Sequence, residues 1–263
     1  MQGSTNLVSE SGNIAYTQPF DFVGGGGEKN KVERLPFTIR LVKDDNDMRK
    51  AISIRQSAYA RHIPTLAERM TEPEASDTEV GVVIFLAESK LDGRPLGTMR
   101  LHTNVYRPLP LEGSVNLPAQ FDGCVLAEAT RLGVTQEKVG RVVKTLLIKA
   151  SYIHCLNVGI DSMLITARSP LDRHYESWLF DEVFPGRGFI PMSHIGDIPH
   201  RLFCHDIATV GARWAEARHP LYDLYFHTQH PDIDVGQDVR LPSFLQEVED
   251  SRKEAQKRPA LSS

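Results

Sequence analysis

The pattern of apolar and polar positions divides the front half of the chain into a strand, a helix and a hairpin. Residues 37–42 alternate between apolar and polar side chains, which predicts a strand. Residues 48–62 carry apolar side chains at helical spacing, after an acidic segment that offers an N-cap. Residues 82–88 and 96–103 predict two antiparallel strands, because an Asp-Gly pair lies at the centre of the turn between them.

The back half of the chain alternates strands with helices. An apolar run at 124–134 predicts a strand, and the apolar repeat in 139–153 predicts a well-formed helix. A strand at 161–167, a helix at 170–180 and a strand at 202–208 follow. A hairpin-rich front half joined to a βαβ-like back half predicts a mixed α/β (α+β) fold. We expect a central, mostly antiparallel sheet flanked by helices.

Three segments differ in composition. Residues 1–34 are rich in Ser, Gly, Asn and Gln, which predicts a flexible tail. Their four-glycine run could cradle a phosphate only between a strand and a helix, and the pattern predicts neither there. Residues 35–238 form the predicted folded domain, and the charged residues 239–263 predict a tail or a solvated helix. Within the domain, the acidic stretch 65–80 is predicted to be a long functional or mobile loop.

Composition and residue spacing argue against several classes of protein. The chain has 263 residues, 30 basic and 34 acidic side chains and a net charge of −4, which argues against a nucleic-acid-coating protein. No apolar run reaches the roughly 18 residues of a membrane span, and the first residues lack a signal-peptide pattern, so we expect a cytoplasmic protein. The three cysteines lie far apart, which predicts reduced thiols. No His or Cys spacing predicts a metal site.

Several charged side chains occupy otherwise apolar elements. Glu128 and Arg131 lie three residues apart on one predicted strand, so they project to opposite faces unless a bulge intervenes. Arg100 lies on a second strand and Arg55 on the first helix, with Tyr59 one turn later. A structural ion-pair network and a functional site both explain this pattern.

Four short motifs, in this order, resemble the pattern of acyl-homoserine-lactone synthases. They are residues 54–59 (Ile-Arg-Gln-Ser-Ala-Tyr), the acidic loop with Asp77, residues 97–101 (Gly-Thr-Met-Arg-Leu) and residues 128–131 (Glu-Ala-Thr-Arg). The later Arg173-His174-Tyr175 and Gly188-Phe189 are more similar to a sister group. That group is the N-acyl amino acid synthases of the long-chain N-acyl tyrosine synthase type, and both groups belong to the GNAT acyltransferase superfamily.

The resemblance implies a GNAT-like sheet and transfer of a long acyl chain to the amine of an amino acid. It implies Glu128 as the base or as the group that orients the amine. Arg100 and Arg131 are implied to bind the acceptor carboxylate or to hold Glu128 and the acidic loop. Arg55 and Asp77 are implied to order that loop over the acceptor, and Tyr59 joins the substrate-binding set.

The resemblance also implies a role for Tyr175. In many GNAT enzymes a tyrosine on the corresponding helix protonates the leaving thiolate. Packing in the core is the alternative role for Tyr175.

The segment before the long helix bears on the acyl donor. GNAT enzymes that use acetyl-CoA usually have a glycine-rich turn there, whose backbone N–H groups hold pyrophosphate. Residues 136–142 (Gln-Glu-Lys-Val-Gly-Arg-Val) contain one glycine, which disfavours coenzyme A and favours an acyl-phosphopantetheine thioester on an acyl carrier protein. No permanently bound cofactor is expected.

The same helix carries a basic face. We predict that Lys138, Arg141, Lys144 and Lys149 lie opposite its valines and leucines. A basic face next to the thioester site suits an acidic carrier protein, and a solvated face is the alternative.

Two other functions stay open at this point. One is an acyl-CoA-dependent GNAT N-acyltransferase that acts on another amine. The other is a catalytically silent GNAT-like domain that binds an acyl ligand. The acceptor amino acid and the chain length depend on the shape of the pocket, and release of a lipid product at a membrane surface stays open as well.

Overall fold

A computed structural model describes residues 31–236, and in this part of the chain eleven strands alternate with five α-helices. The strands are β1 (Lys31–Val32), β2 (Phe37–Leu41), β3 (Val82–Ser89), β4 (Pro95–Thr103), β5 (Leu126–Val134), β6 (Ser162–Ala167), β7 (Asp181–Glu182), β8 (Ile190–Met192), β9 (Ile198–Asp206), β10 (Thr228–Gln229) and β11 (Ile233–Asp234). The helices are α1 (Asp45–Ala60), α2 (Pro64–Ala67), α3 (Val139–Asn157), α4 (Asp172–Ser177) and α5 (Val210–Glu216).

The main sheet is mixed and mostly antiparallel. Its strand order is β11-β2-β3-β4-β5-β6-β9-β7, and β8 pairs with β9 beside it. Only β11–β2 and β5–β6 pair in parallel among the described strands of this sheet. The parallel β5–β6 pair needs a crossover, and α3 provides it. The predicted fold class is confirmed.

Helices cover the two faces of the sheet. Ile84 and Leu86 pack with α1, whereas Phe85 and Met99 pack with the apolar side of α3. Along β3, Phe85 alternates with Ile84 and Leu86 because successive side chains of a strand point to opposite faces. Asp44 caps α1 by accepting a hydrogen bond from the N–H of Asp47 at 2.8 Å.

A glycine lets α1 approach the sheet closely. A Cβ at Gly133 would lie 2.9 Å from the Cβ of Ala58 and 3.3 Å from the Cα of Arg55. A larger residue on β5 would push α1 outward. This contact therefore brings the side chain of Arg55 close to the strands that carry Arg100 and Arg131.

The folded part starts earlier than the sequence predicts. Lys31–Val32 pairs with β10, and Arg34 forms an ion pair with Asp232 at 3.1 Å, so residues 31–34 do not belong to a flexible tail. The rest of the predicted tail, and the predicted segment 239–263, lie outside the described residues. The predicted loop 65–80 holds part of α2 and a 3-10 helix, Ala75–Thr78. Among the described helices, none combines the length and apolarity that a membrane crossing requires.

Candidate active site

A bulge in β5 brings the charged side chains of two strands to the same side of the sheet. Thr98 of β4 is opposite Gly133, but Arg100 is opposite Thr130, so β5 has one extra residue in this interval. Arg131 lies in the bulge with a φ of 54°, in the left-handed region. As a result, Arg131 and Glu128 both lie on the same side of the sheet as Arg100. The sequence pattern had left open whether Glu128 and Arg131 share a side.

Three arginines and two carboxylates form one buried network there. Arg55 donates two hydrogen bonds to Asp77, at 2.8 and 2.9 Å. Arg131 donates two to Glu74, at 2.8 and 2.7 Å. Arg100 joins the pairs, because its Nη1 lies 3.0 Å from Glu74 and 2.9 Å from Asp77. The acidic loop is thereby fastened to α1, β4 and β5.

The network keeps both carboxyl groups ionised. Burial by itself would raise the pKa of Glu74 and of Asp77, but hydrogen bonds and positive charge from the arginines outweigh it and hold each pKa below its usual value. Glu74 was not singled out in the sequence, although it and Asp77 have capping-box spacing around the 3-10 helix. Two donors remain unpaired, because the buried Nη1 of Arg131 and the buried Nε of Arg55 have no hydrogen-bond partner among the described residues.

Glu128 lies deeper than the network and is fully enclosed. Its side chain has 0% exposure, and its Oε2 accepts a hydrogen bond from the N–H of Leu111 at 2.9 Å. Its Oε1 lies 3.4 Å from Nε2 of His194, in an alignment too poor for a hydrogen bond. Burial raises the pKa of Glu128 to about 8, against the N–H of Leu111 and the charges of Arg100 and Arg131, which lower it.

A cavity opens where β5 and β6 separate. Their pairing ends at Ala129 and Ile165, although both strands continue to Val134 and Ala167. Predicted site residues that line the cavity are Tyr59, Arg131, Lys144 and Tyr175. Glu128, Arg55, Asp77 and Arg100 are not among the residues that line it. The described residues that line the cavity include no Asp or Glu.

His194 is a candidate site residue that no sequence pattern indicated. It lies in the 3-10 helix Ser193–Ile195 after β8, lines the cavity and approaches Glu128. Its buried Nδ1 has no hydrogen-bond partner among the described residues. Burial, followed by the charge of Arg131, lowers the pKa of His194 to about 4. No sequence motif surrounds this histidine, so only its position in the fold distinguishes it from the other nine in the chain.

Tyr175 lies in α4, in a cluster of aromatic rings next to the cavity. Its ring centroid is 6.1 Å from that of Trp178, 5.3 Å from Phe180 and 6.1 Å from Phe203. Burial raises the pKa of its hydroxyl group, which therefore keeps its proton at neutral pH. Packing and proton donation are both compatible with this position.

The basic face of α3 is shorter than the sequence predicts. Lys138 and Arg141 are exposed, and Lys144 is half-buried at the cavity with its Nζ 5.8 Å from the centre of the Trp178 ring. Lys149 is buried instead, because its Nζ donates hydrogen bonds to the carbonyls of Leu224 and Thr228, at 2.7 and 2.6 Å.

Two further details concern the start of α3. Val142, predicted on the apolar face, is 49% exposed. A Cβ at Gly140 would lie 2.1 Å from the carbonyl oxygen of Thr135, so this glycine is needed for the close approach of the chain to itself. Across the described residues, no three His, Cys, Asp or Glu side chains are grouped so as to hold a metal ion.

Comparisons with known proteins give the fold. No family model and no curated protein matches the chain. FeeM, an N-acyl amino acid synthase from uncultured soil microbes, superposes with a TM-score of 0.53 at 14% identity, over 69% of this chain and 96% of that one. BjaI, a CoA-dependent acyl-homoserine lactone synthase, gives 0.48 at 15% identity, over 74% and 93%. The chain therefore has the predicted GNAT-like fold, and the predicted resemblance to N-acyl amino acid synthases holds at the level of the fold.

Proposed function

We propose that the protein is an N-acyltransferase that moves a long acyl chain from an acyl carrier protein thioester to the amine of an amino acid. The observation that carries this proposal is the buried, unpartnered guanidinium nitrogen of Arg131, a residue that lines a cavity whose described lining contains no carboxylate. A buried donor without a partner is unfavourable, and a carboxylate from a ligand would satisfy it.

Charge balance supports an acceptor that carries a carboxylate. While Glu128 is protonated, the network holds three guanidinium groups against the two carboxylates of Glu74 and Asp77, which leaves one positive charge in excess. An amino acid would neutralise it through its carboxylate. Arg55 and Arg100 face the loop and do not line the cavity, so Arg131 is the arginine of the network assigned to the acceptor.

The rest of the cavity suits an acyl thioester. Its apolar lining includes Ala58, Ile63, Leu66, Ile165, Leu171 and Trp178. The separation of β5 from β6 frees backbone groups of β5 beyond Ala129 from pairing with β6. Backbone N–H groups in such a position can stabilise the negative charge that develops on the thioester oxygen during attack.

The basic surface next to the cavity supports an acyl carrier protein as the acyl donor. Lys138, directly before α3, and Arg141 on α3 are exposed, and Lys144 connects this basic face to the cavity lining. An acidic carrier protein would be attracted to this face, and its phosphopantetheine arm has one phosphate rather than the pyrophosphate of coenzyme A. The packing role of Gly140 supports the same choice, because that glycine is explained without a bound pyrophosphate.

The reaction requires three proton transfers. The acceptor ammonium loses a proton and the free amine attacks the thioester carbonyl, the nitrogen loses a second proton from the tetrahedral intermediate, and the phosphopantetheine thiolate that the intermediate expels gains one. Tyr175 keeps its proton at neutral pH and lines the cavity, so we assign it to protonation of the thiolate. Glu128 is the buried carboxyl group of the site that can take up the ammonium proton.

A product assay tests the function directly. The full chain is incubated with long-chain acyl carrier protein or with acyl-CoA, together with a mixture of amino acids, and the products are identified by mass spectrometry. We expect N-acyl amino acids from the carrier-protein thioester. Faster turnover of acyl-CoA would support the second candidate, an acyl-CoA-dependent N-acyltransferase. Binding of acyl thioester without any acylated amine would contradict the proposal and favour a silent acyl-binding domain.

A further inference from the structure

We propose that His194 accepts the proton of the acceptor ammonium group and that Glu128 acts on the acceptor only through His194, as a positioning residue. This inference rests on the proposed N-acyl transfer and assigns its base. It places His194 between the amine and Glu128, which the sequence resemblance implies as the base or as the group that orients the amine.

The geometry places the two residues in series. Glu128 has 0% side-chain exposure and does not line the cavity, so an acceptor in the cavity has no direct access to its carboxyl group. His194 lines the cavity, and its Nε2 is 3.4 Å from Oε1 of Glu128. Catalytic hydrogen bonds are often long in ligand-free enzymes and shorten when substrate binds. The second ring nitrogen, Nδ1, is buried and has no hydrogen-bond partner among the described residues, so no other protein group satisfies it.

Hydrogen bonds from neighbouring turns fix the positions of Glu128 and of the turn that carries His194. Leu111, in the 3-10 helix Pro110–Gly113, donates its N–H to Oε2 of Glu128 and leaves Oε1 for His194. Ser193 donates its N–H to Oγ of Ser114 at 2.8 Å, which ties the 3-10 helix of His194 to the chain that follows Leu111. The imidazole and the carboxyl group are therefore carried by two neighbouring turns that are bonded to each other.

The proton transfer balances within this pair. When Glu128 is ionised, it accepts the Nε2–H of His194, and Nδ1 keeps a free lone pair. Nδ1 then takes one proton from the acceptor ammonium, which becomes the amine that attacks the thioester. The resulting imidazolium gives its Nε2 proton to Oε1 of Glu128 or shares it with that oxygen. When Glu128 is protonated, it donates to Nε2, the ring proton lies on Nδ1, and the pair cannot accept a proton.

Other titratable groups around the pair set the pH at which it becomes active. Those that act on Glu128 or His194 from the packed elements are Arg100, Arg131, Glu74, Glu112, His102 and His200. The two arginines favour the ionised form of Glu128 and the neutral form of His194. They therefore favour the one state of the pair that can accept a proton.

Nuclear magnetic resonance of the full chain labelled with ¹⁵N-histidine tests the pairing without relying on activity. We expect His194 to be neutral above about pH 4 and to switch from the Nδ1–H to the Nε2–H tautomer near pH 8, as Glu128 ionises. In Glu128→Gln the switch should be absent. A His194 tautomer that does not respond to pH in the native chain, or that switches equally in Glu128→Gln, would overturn the proposal.

Kinetics test the catalytic role. His194→Asn should lower kcat by about 10²- to 10⁴-fold, the usual contribution of a general base. It should also remove the rise of kcat/KM with pH near 8. His62→Asn is the matched control, because His62 lines the rim of the same cavity but is exposed, and the rise near pH 8 should persist in it. A His194→Asn enzyme that keeps native kcat and the same rise would show that Glu128 reaches the amine without His194.

The two proposals fail in distinguishable ways. If the native chain makes no N-acyl product from any thioester and amine supplied, the proposed function is wrong, whatever the tautomer experiment gives. If it makes product and His194→Asn makes it equally well, only the assignment of the base is wrong. Circular dichroism of His194→Asn and Glu128→Gln should match that of the native chain, which separates loss of catalysis from loss of folding.

Discussion

Arg131 and Glu74 are joined by two parallel hydrogen bonds, Nε to Oε2 at 2.8 Å and Nη2 to Oε1 at 2.7 Å. The same guanidinium group holds the acidic loop with two nitrogens and keeps its third, Nη1, unpartnered within the described chain. One side chain therefore holds the acidic loop and, in the proposed function, also binds the acceptor. Its backbone has the left-handed conformation of the β5 bulge.

Arg131→Lys should weaken binding of the acceptor. A lysine keeps the charge but cannot hold Glu74 with a planar pair of donors while a further donor faces the cavity. A charged hydrogen bond contributes about 1.5–3 kcal/mol, so KM for the amino acid should rise by about 10- to 100-fold. For the corresponding amino acid amide, which has no carboxylate, the substitution should change KM little. Arg107→Lys is the control, because Arg107 pairs with Glu79 and does not line the cavity. An equal effect on the acid and the amide would contradict the assignment.

Asp77→Asn should destabilise the fold. Asp77 has 0% side-chain exposure and pairs with both Arg55 and Arg100, so loss of its charge leaves buried guanidinium groups undercompensated. Breaking such a buried pair lowers the free energy of unfolding by about 3–5 kcal/mol. Urea denaturation measures the change. Glu72→Gln changes an exposed carboxylate of the same loop and should shift the free energy by at most about 0.5 kcal/mol.

Glu128→Gln should change how stability depends on pH. The folded-state pKa of Glu128 is raised from 4.5 to about 8, so the folded chain keeps a proton that the unfolded chain has released above pH 4.5. The stabilisation is complete below pH 4.5 and is lost as pH rises toward about 8. Over that interval the native chain should lose stability relative to Glu128→Gln by about 1.4 kcal/mol per pH unit. Urea unfolding at pH 5, 6, 7 and 8 measures the difference, and parallel profiles would contradict the raised pKa.

Charge reversal on α3 should weaken the carrier-protein interaction. Lys138→Glu combined with Arg141→Glu changes two exposed positions outside the cavity lining. We expect KM for acyl carrier protein to rise at least about 10-fold at low salt and the difference to shrink as salt increases. KM for a short acyl-pantetheine thioester should not change. Arg49→Glu, on the exposed side of α1, is the control. Equal KM values for native and reversed chains would place the docking surface elsewhere.

Tyr175→Phe separates proton donation from packing. The two side chains fill nearly the same volume, so a packing role predicts native kcat. Proton donation predicts a kcat lower by about 10²-fold or more. Tyr152→Phe is the control, since Tyr152 is buried on α3 and does not line the cavity. Single-turnover release of free thiol reports the step directly.

The sequence was informative where local patterns decide the structure. The alternation in β2 and β3 and the repeat in α3 follow from one-sided burial, which leaves a period in the chain. Asp44 was recognisable as part of the helix start because capping uses the residue's own neighbours. Lys149 was misplaced for the opposite reason. Its helical spacing fits the exposed face, but carbonyls of Leu224 and Thr228, far along the chain, bury it.

By itself, the sequence determined the fold class and, except for Glu74, the charged residues of the network, because periodicity and motif order are local properties of the chain. Only the tertiary structure decided which of these charged residues lie together on one side of the sheet and which of them line the cavity. The β5 bulge brings Arg131 to the side of Glu128, and the separation of β5 from β6 opens the cavity beside Arg131. Burial keeps Glu128 away from that cavity and leaves His194 between them. These contacts join residues that are distant in the chain. Burial and pairing between distant residues produce no pattern in the local sequence, so the sequence could not indicate them.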